Sequence, residues 1–242
     1  MADATRISWT DRTWNPWQGC SRVSPGCAHC YMFAEREGRY GIPSGTVTRS
    51  AAATFRKPLS KAWATPGKVF TCSWSDWFHP GADAWRPAAW EIIRATPHLT
   101  YQILTKRPER IAEHLPPDWG EGWPNVWLGV SVESQAYEPR AQLLATIPAR
   151  VRFVSAEPLL GPLTLSPDAL ACLGWLIAGG ESGPQARPAA EAWFVALAAQ
   201  CEAAGVPYWH KQNGGRAADK GGELLQGRRL QAFPAAAAGV AP

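Results

Sequence analysis

The chain has 242 residues, of which 46% are hydrophobic and 18% charged, with a formal net charge of +4 and a sequence pI of about 8.8. That is enough apolar material for a full core, in one large domain or two small ones. The longest apolar stretch, residues 169–178, is too short to span a bilayer, and the first ten residues lack a basic region leading into an apolar run, so neither a membrane span nor a signal peptide is expected. A cytoplasmic chain with reduced thiols follows as the expectation, and the mild basicity suits a polyanionic partner without requiring one.

The predicted elements alternate along the chain. A first strand is expected near residues 14–19, followed by the stretch GCSRVSPGCAHCY (residues 19–31) and a helix that starts with Tyr31 and covers 32–39. KVFTCSWSD (68–76) reads as a strand, and the helix expected over 83–96 places Trp85, Ala89, Ile92 and Ile93 on one side. LTYQILTKRP (99–108) and NVWLGVSVES (125–134) are the next strands, with a helix over 135–146 behind them. RVRFVSAEP (150–158) leads into a Pro- and Gly-bearing link with at most a short helix, and LGWLIAGGES (173–182) follows. A helix over 189–205 stops at Gly205, and VPYWHKQNGG (206–215) is the last strand.

The apolar parts of these runs are nearly continuous, as in parallel strands covered on both faces. Strand alternating with helix predicts an α/β fold, a partial or full (β/α) barrel over residues 1–215, with a doubly wound sheet as the alternative. Residues 216–242 read as a C-terminal extension whose end, PAAAAGVAP, is expected to be disordered. Every strand ends in polar groups: Ser75-Asp76, Thr105-Lys106-Arg107, Ser131 and Glu133, Glu157, Glu181-Ser182, and Lys211-Gln212. In a barrel those ends share one face, where the active site forms.

Three of the six cysteines, Cys20, Cys27 and Cys30, fall in a C-x6-C-x2-C pattern. The C-x2-C half is a metal clip, and Pro25-Gly26 lets the longer span fold back. Structural zinc asks for a fourth ligand, for which His29 is poorly placed and His79 is reachable only through folding. A disulfide leaves one thiol over. A 4Fe–4S cluster on three cysteines leaves one iron open for a substrate or cofactor. Cys72, Cys172 and Cys201 read as core, with Cys72 on a strand face opposite Ser73 and Ser75. Trp74 and Trp77 flank Ser75-Asp76, either as core or as the dry wall of a pocket.

ISWTDRTWNPWQGCSRVSPGCAHCY, SWSDWFHP, LTKRPERI, NVWLGVSVES, VRFVSAEPLLGP, AGGESGPQARP and KQNGG resemble, in order, the motifs of the phage-type three-cysteine-motif proteins. That family looks like a divergent branch of the radical S-adenosylmethionine (SAM) enzymes, whose usual motif is C-x3-C-x2-C; the first gap here is six. A second, positional similarity is to the spore photoproduct lyases, in which a Ser-Asp pair, a Lys and a Ser hold SAM. The resemblance implies a radical SAM-type barrel with a 4Fe–4S cluster on Cys20, Cys27 and Cys30. It implies SAM held by Ser75 and Asp76 at its ammonium, Lys106 at its carboxylate, and Ser131 and Glu133 at its ribose. It points to a nucleic-acid base as substrate, met by Arg107, Glu181 and Lys211; from the residues themselves, Arg49, Arg56, Lys57, Arg107 and Lys211 are candidates to meet phosphates. An electron donor and a partner protein encoded nearby complete the expectation. The competing reading is a zinc- or cluster-binding interaction module without SAM chemistry.

Overall fold

Runs rich in Val, Ile, Phe and Trp pair where both faces are covered. The computed structural model describes residues 5 and 7–235, and there the runs form short strands. Strand β1 (Arg12–Trp14) is followed by β2 (Trp17–Gln18), helix α1 (Tyr31–Phe33), β3 (Thr48–Arg49) and α2 (Ala52–Phe55). Next come β4 (Gly67–Thr71), α3 (Arg86–Arg94), β5 (Leu99–Thr105), β6 (Val126–Ser131) and α4 (Pro139–Ala145). The chain continues through β7 (Val151–Ala156), α5 (Pro167–Cys172), β8 (Trp175–Gly179), α6 (Glu191–Ala204) and β9 (Tyr208–Gln212). The helix expected over 32–39 begins as α1 and then widens to a π-helical stretch, Ala34–Arg39.

Seven strands follow one another in the order β1-β4-β5-β6-β7-β8-β9, and β2 pairs with β3 in a separate antiparallel ribbon. The β1–β4, β4–β5, β7–β8 and β8–β9 ladders are parallel. This sequential order is that of a partial (β/α) barrel; a doubly wound sheet would reverse it at a switch point. Among the described residues no helix is long and apolar enough to cross a membrane.

The chain divides into two compact units. The first runs to Leu128 and includes Pro148–Arg150. Its core is built of tryptophans: Trp77 meets Trp14, Trp17 and Trp90 at ring separations of 5.9, 5.0 and 5.1 Å. The Trp14 indole donates to the carbonyls of Thr54 and Phe55, tying α2 to β1. Trp77 therefore belongs to this core. On α3, Ala89, Ile92 and Ile93 are buried as expected, together with Trp90, whereas Trp85 is only half-buried.

The second unit comprises Gly129–Ile147 and the chain from Val151. Gly129 makes room for the Phe153 ring, which a Cβ there would meet at 2.3 Å. Helix α6 ends where Gly205 turns left-handed (φ +68°), as its sequence predicts. The extension after residue 215 returns to this unit: Gln231 bridges Trp209, and Phe233 lies against Trp209 and Trp175. The disorder expected for PAAAAGVAP falls largely outside the described residues.

One expectation for a single cysteine changes, and another holds for a different reason. Cys172, expected in the core, is exposed at the end of α5; Cys201 is buried. Cys72 is buried, but it stands beyond β4 with φ +56°, so strand alternation does not set its direction. The turn closes instead through Ser75 N–H donating to the Cys72 carbonyl at 3.0 Å.

Candidate functional site

In the first unit, the loop after β1 is clamped to the turn after β4. Asn15 accepts from the Trp74 amide at 2.9 Å, and the Gly19 amide donates to the Trp74 carbonyl at 2.9 Å. The Ser75 hydroxyl donates to the Gly19 carbonyl. Gly19 has φ +101°, and a Cβ there would lie 2.1 Å from the Thr46 carbonyl oxygen, so only glycine fits. Ser75, expected at a ligand's ammonium, is thus a clamp on the cysteine loop.

The three cysteines share one small apolar cluster. Cys27 ends the 3-10 turn Pro25–Cys27, and Cys30 occupies the N-cap position of α1. Cys20, Cys30 and Trp74 pack against a small apolar cluster of Cys27, Met32 and Phe33. Trp74 thus lies at the thiols, edge-on to Tyr31 at 5.5 Å. Burial pushes the Cys20 thiol up to about 12; nearby Asp76 adds to this, while Arg107 opposes it. Burial raises Cys30 as well, while the Met32 and Phe33 amides and the Lys106 ammonium act in the opposite direction. Half-buried Lys106 therefore stands close enough to the thiols to favour negative charge on them.

Asp76 and Arg107 form the charged centre of this unit. Both side chains are only 6% exposed, and Arg107 Nη1 lies 3.1 Å from Asp76 Oδ2. Asp76 also accepts from the Thr105 hydroxyl (2.6 Å) and from the amides of Lys106 (2.9 Å) and Phe78 (2.9 Å). Arg107 donates to the Ser21 carbonyl at 2.9 Å and hydroxyl at 2.8 Å, and its Nη1 is 3.6 Å from Cys20 Sγ. Asp76, expected at an ammonium, and Arg107, expected at a phosphate, engage each other, and Arg107 also contacts Cys20. The pairing is absent from any local pattern because the two residues lie on separate strand ends.

His79 completes the support. Its Nδ1 accepts from the Gly81 amide at 3.0 Å, and its Nε2 faces the Ser21 hydroxyl at 3.1 Å. Burial, with help from the Arg107 charge, lowers its pKa to about 4, so the ring is neutral. Buried Arg86, which sequence reasoning passed over, bonds the Trp77 and His79 carbonyls at 2.9 Å each and holds this segment in place.

In the second unit the strand ends carry carboxylates, each paired with a cation. Glu133 is fully buried and lies 2.9 Å from Arg140, which also donates to the Ser131 carbonyl at 2.9 Å. The Glu181 carboxylate accepts from Arg187 Nε (2.8 Å), Nη2 (2.6 Å) and its amide (2.9 Å). Lys211 pairs with Glu157. A Cβ at Gly179 would lie 3.5 Å from the Glu157 carboxyl, within ordinary contact distance. Sequence reasoning found Ser131, Glu133, Glu181 and Lys211 but missed the partners Arg140 and Arg187. Their spacing, seven and six residues after the carboxylates, was the available signal.

Among the described residues no group of three or more His, Cys, Asp or Glu is drawn together to hold a single metal ion. The donor set itself is three soft sulfurs on one clamped loop, with amides beside Cys30 and cations beside Cys20 and Cys30. That chemistry fits a thiolate-bound iron–sulfur cluster, whose sulfurs take hydrogen bonds and positive neighbours.

Residues 4–234 match the family described as Protein of unknown function (DUF5131). The chain belongs to that family. The match takes in both units, so the cysteine loop and the carboxylate-bearing strand ends are parts of one family fold. No curated protein and no solved structure matches the chain.

Proposed function

We propose that this DUF5131 protein is a radical SAM enzyme acting on a nucleic-acid base. The observation that carries the reading is the joint packing of Cys20, Cys27 and Cys30 on a loop clamped by Ser75, Asp76 and Arg107. When bound there, a 4Fe–4S cluster supplies a single electron for cleavage of SAM to methionine and a 5′-deoxyadenosyl radical. Cys20, Cys27 and Cys30 would hold the cluster, and Arg107 would offset thiolate charge at Cys20. Lys106, whose charge acts on Cys30, is the cation that would meet a ligand carboxylate. Asp76 acts as a positioning residue through Arg107 and the Lys106 amide. Trp74 packs beside the thiols and limits water there, with Tyr31 edge-on to it.

The test is a metal count on protein purified without oxygen. About four irons and matching sulfide per chain, lost in Cys27→Ala, support the reading. A colourless protein with stoichiometric zinc after reconstitution overturns it in favour of an interaction module. Iron-loaded protein given dithionite and SAM is expected to yield 5′-deoxyadenosine, and an iron-loaded protein that yields none is not a radical SAM enzyme.

A further inference from the structure

Charge is unevenly distributed along this chain. Residues 38–75 contain six Lys and Arg and no Asp or Glu, while the whole chain has 24 of the former against 20 of the latter. That one stretch more than accounts for the net positive charge.

Its fold turns the cations outward. Phe55, Pro58 and Trp63 are buried, while Arg49, Arg56 and Lys61 are exposed. Arg49 lies over the Phe55 ring at 4.0 Å and Lys57 approaches the Trp63 ring at 5.9 Å, so aromatic anchors hold the cationic stems. Arg49, Arg56 and Lys61 have no ion pair among the described residues. Lys68 and Arg39, by contrast, are matched by Asp11 and Glu35. An uncompensated row of cations costs self-repulsion, and an anionic partner relieves it.

The row is stitched to the thiol loop. Arg49 is in register with Trp17 in the β2–β3 ribbon, the Ser50 amide donates to the Pro16 carbonyl at 3.0 Å, and the Gly45 amide donates to the Cys20 carbonyl at 2.9 Å. Next to the last cysteine of that loop, Tyr31 is 53% exposed and edge-on to Trp74. Cations that track phosphates beside an accessible aromatic ring form the usual surface for single-stranded nucleic acid.

We propose that residues 48–61 are a docking track for the phosphate backbone of a single-stranded nucleic acid, which they lead past the cysteine loop. The proposal rests on the nucleic-acid part of the reading above and not on the thiol chemistry. Membranes are the other common polyanion, but the track is a series of short turns rather than an amphipathic helix with an apolar face to insert.

The experiment uses the full chain and a fluorescein-labelled oligo-dT or oligo-rU of about 20 nucleotides, longer than one single-strand site. Binding is followed by anisotropy across a salt series, with phosphatidylserine-containing vesicles in parallel. The wild type is expected to bind the oligonucleotide with a clear salt slope. In R56A/K61A the slope of log affinity against log salt should fall by about 1.4, one contact per cation removed. Neutralising the exposed Arg216 and Arg228 of the second unit should leave the slope unchanged. Wild-type protein that ignores both oligonucleotides, that prefers vesicles, or whose slope survives R56A/K61A overturns the track. A protein that takes up no iron on reconstitution yet still binds through Arg56 and Lys61 overturns the thiol chemistry alone.

Discussion

The two compact units dress their strand ends differently. In the second, three carboxylates each meet a cation: Glu133 with Arg140, Glu157 with Lys211, Glu181 with Arg187. In the first, one buried pair, Asp76–Arg107, is enclosed by hydroxyl and amide donors, and the remaining donors are thiols with weak partners. The contrast teaches that a charged residue at a strand end is not by itself a ligand site. Paired charges neutralise each other and shape the fold, whereas buried thiols held only by weak contacts retain the capacity to bind something else.

Several substitutions would break or sharpen that contrast. Arg107→Ala should be the most damaging, at about 3–5 kcal/mol in a urea titration, because it leaves Asp76 buried without its partner. A loss of the size seen at exposed pairs would mean that Asp76–Arg107 does not anchor the first unit.

The next effect is a pH dependence. His79 has a folded-state pKa of about 4 against an ordinary 6.5, so the unfolded chain takes up the proton first. Its contribution is complete above the unfolded value and is lost as pH falls from 6.5 toward 4, by roughly 3 kcal/mol. His79→Gln should flatten that part of the stability–pH curve, and an unchanged slope would assign the dependence to other groups.

Smaller changes are expected in the second unit. Arg187→Ala should cost about 2 kcal/mol, since Glu181 loses its arginine partner but the pair borders solvent. Glu133→Gln should cost about 1 kcal/mol, because the amide oxygen still accepts from Arg140, whose bond to the Ser131 carbonyl remains. If either exceeded the Arg107 effect, the second unit and not the first would hold the critical charge.

Much of the fold was legible locally. The apolar runs marked β4 to β9 to within a few residues, because a strand covered on both faces has no polar positions to hide. Gly205 marked the end of α6 for an equally local reason, since glycine adopts the left-handed turn at little cost. Cys72 is buried as expected, although one left-handed residue after β4 removes the strand alternation from which that expectation is drawn. Cys172 defeated the reading because an apolar neighbourhood in sequence does not say which side of a short helix faces solvent.

For the site, the sequence by itself determined the donor types: three thiols on a loop with Pro and Gly, and a polar group after every strand. Those are matters of composition and spacing, and they survive without coordinates. Only the tertiary structure decided which groups are already engaged. Asp76 and Arg107 are 31 residues apart in sequence yet form one buried pair, and Ser75 reaches back 56 residues to clamp Gly19. Whether a polar side chain is free for a ligand depends on its neighbours in space, and burial makes those long-range partners obligatory.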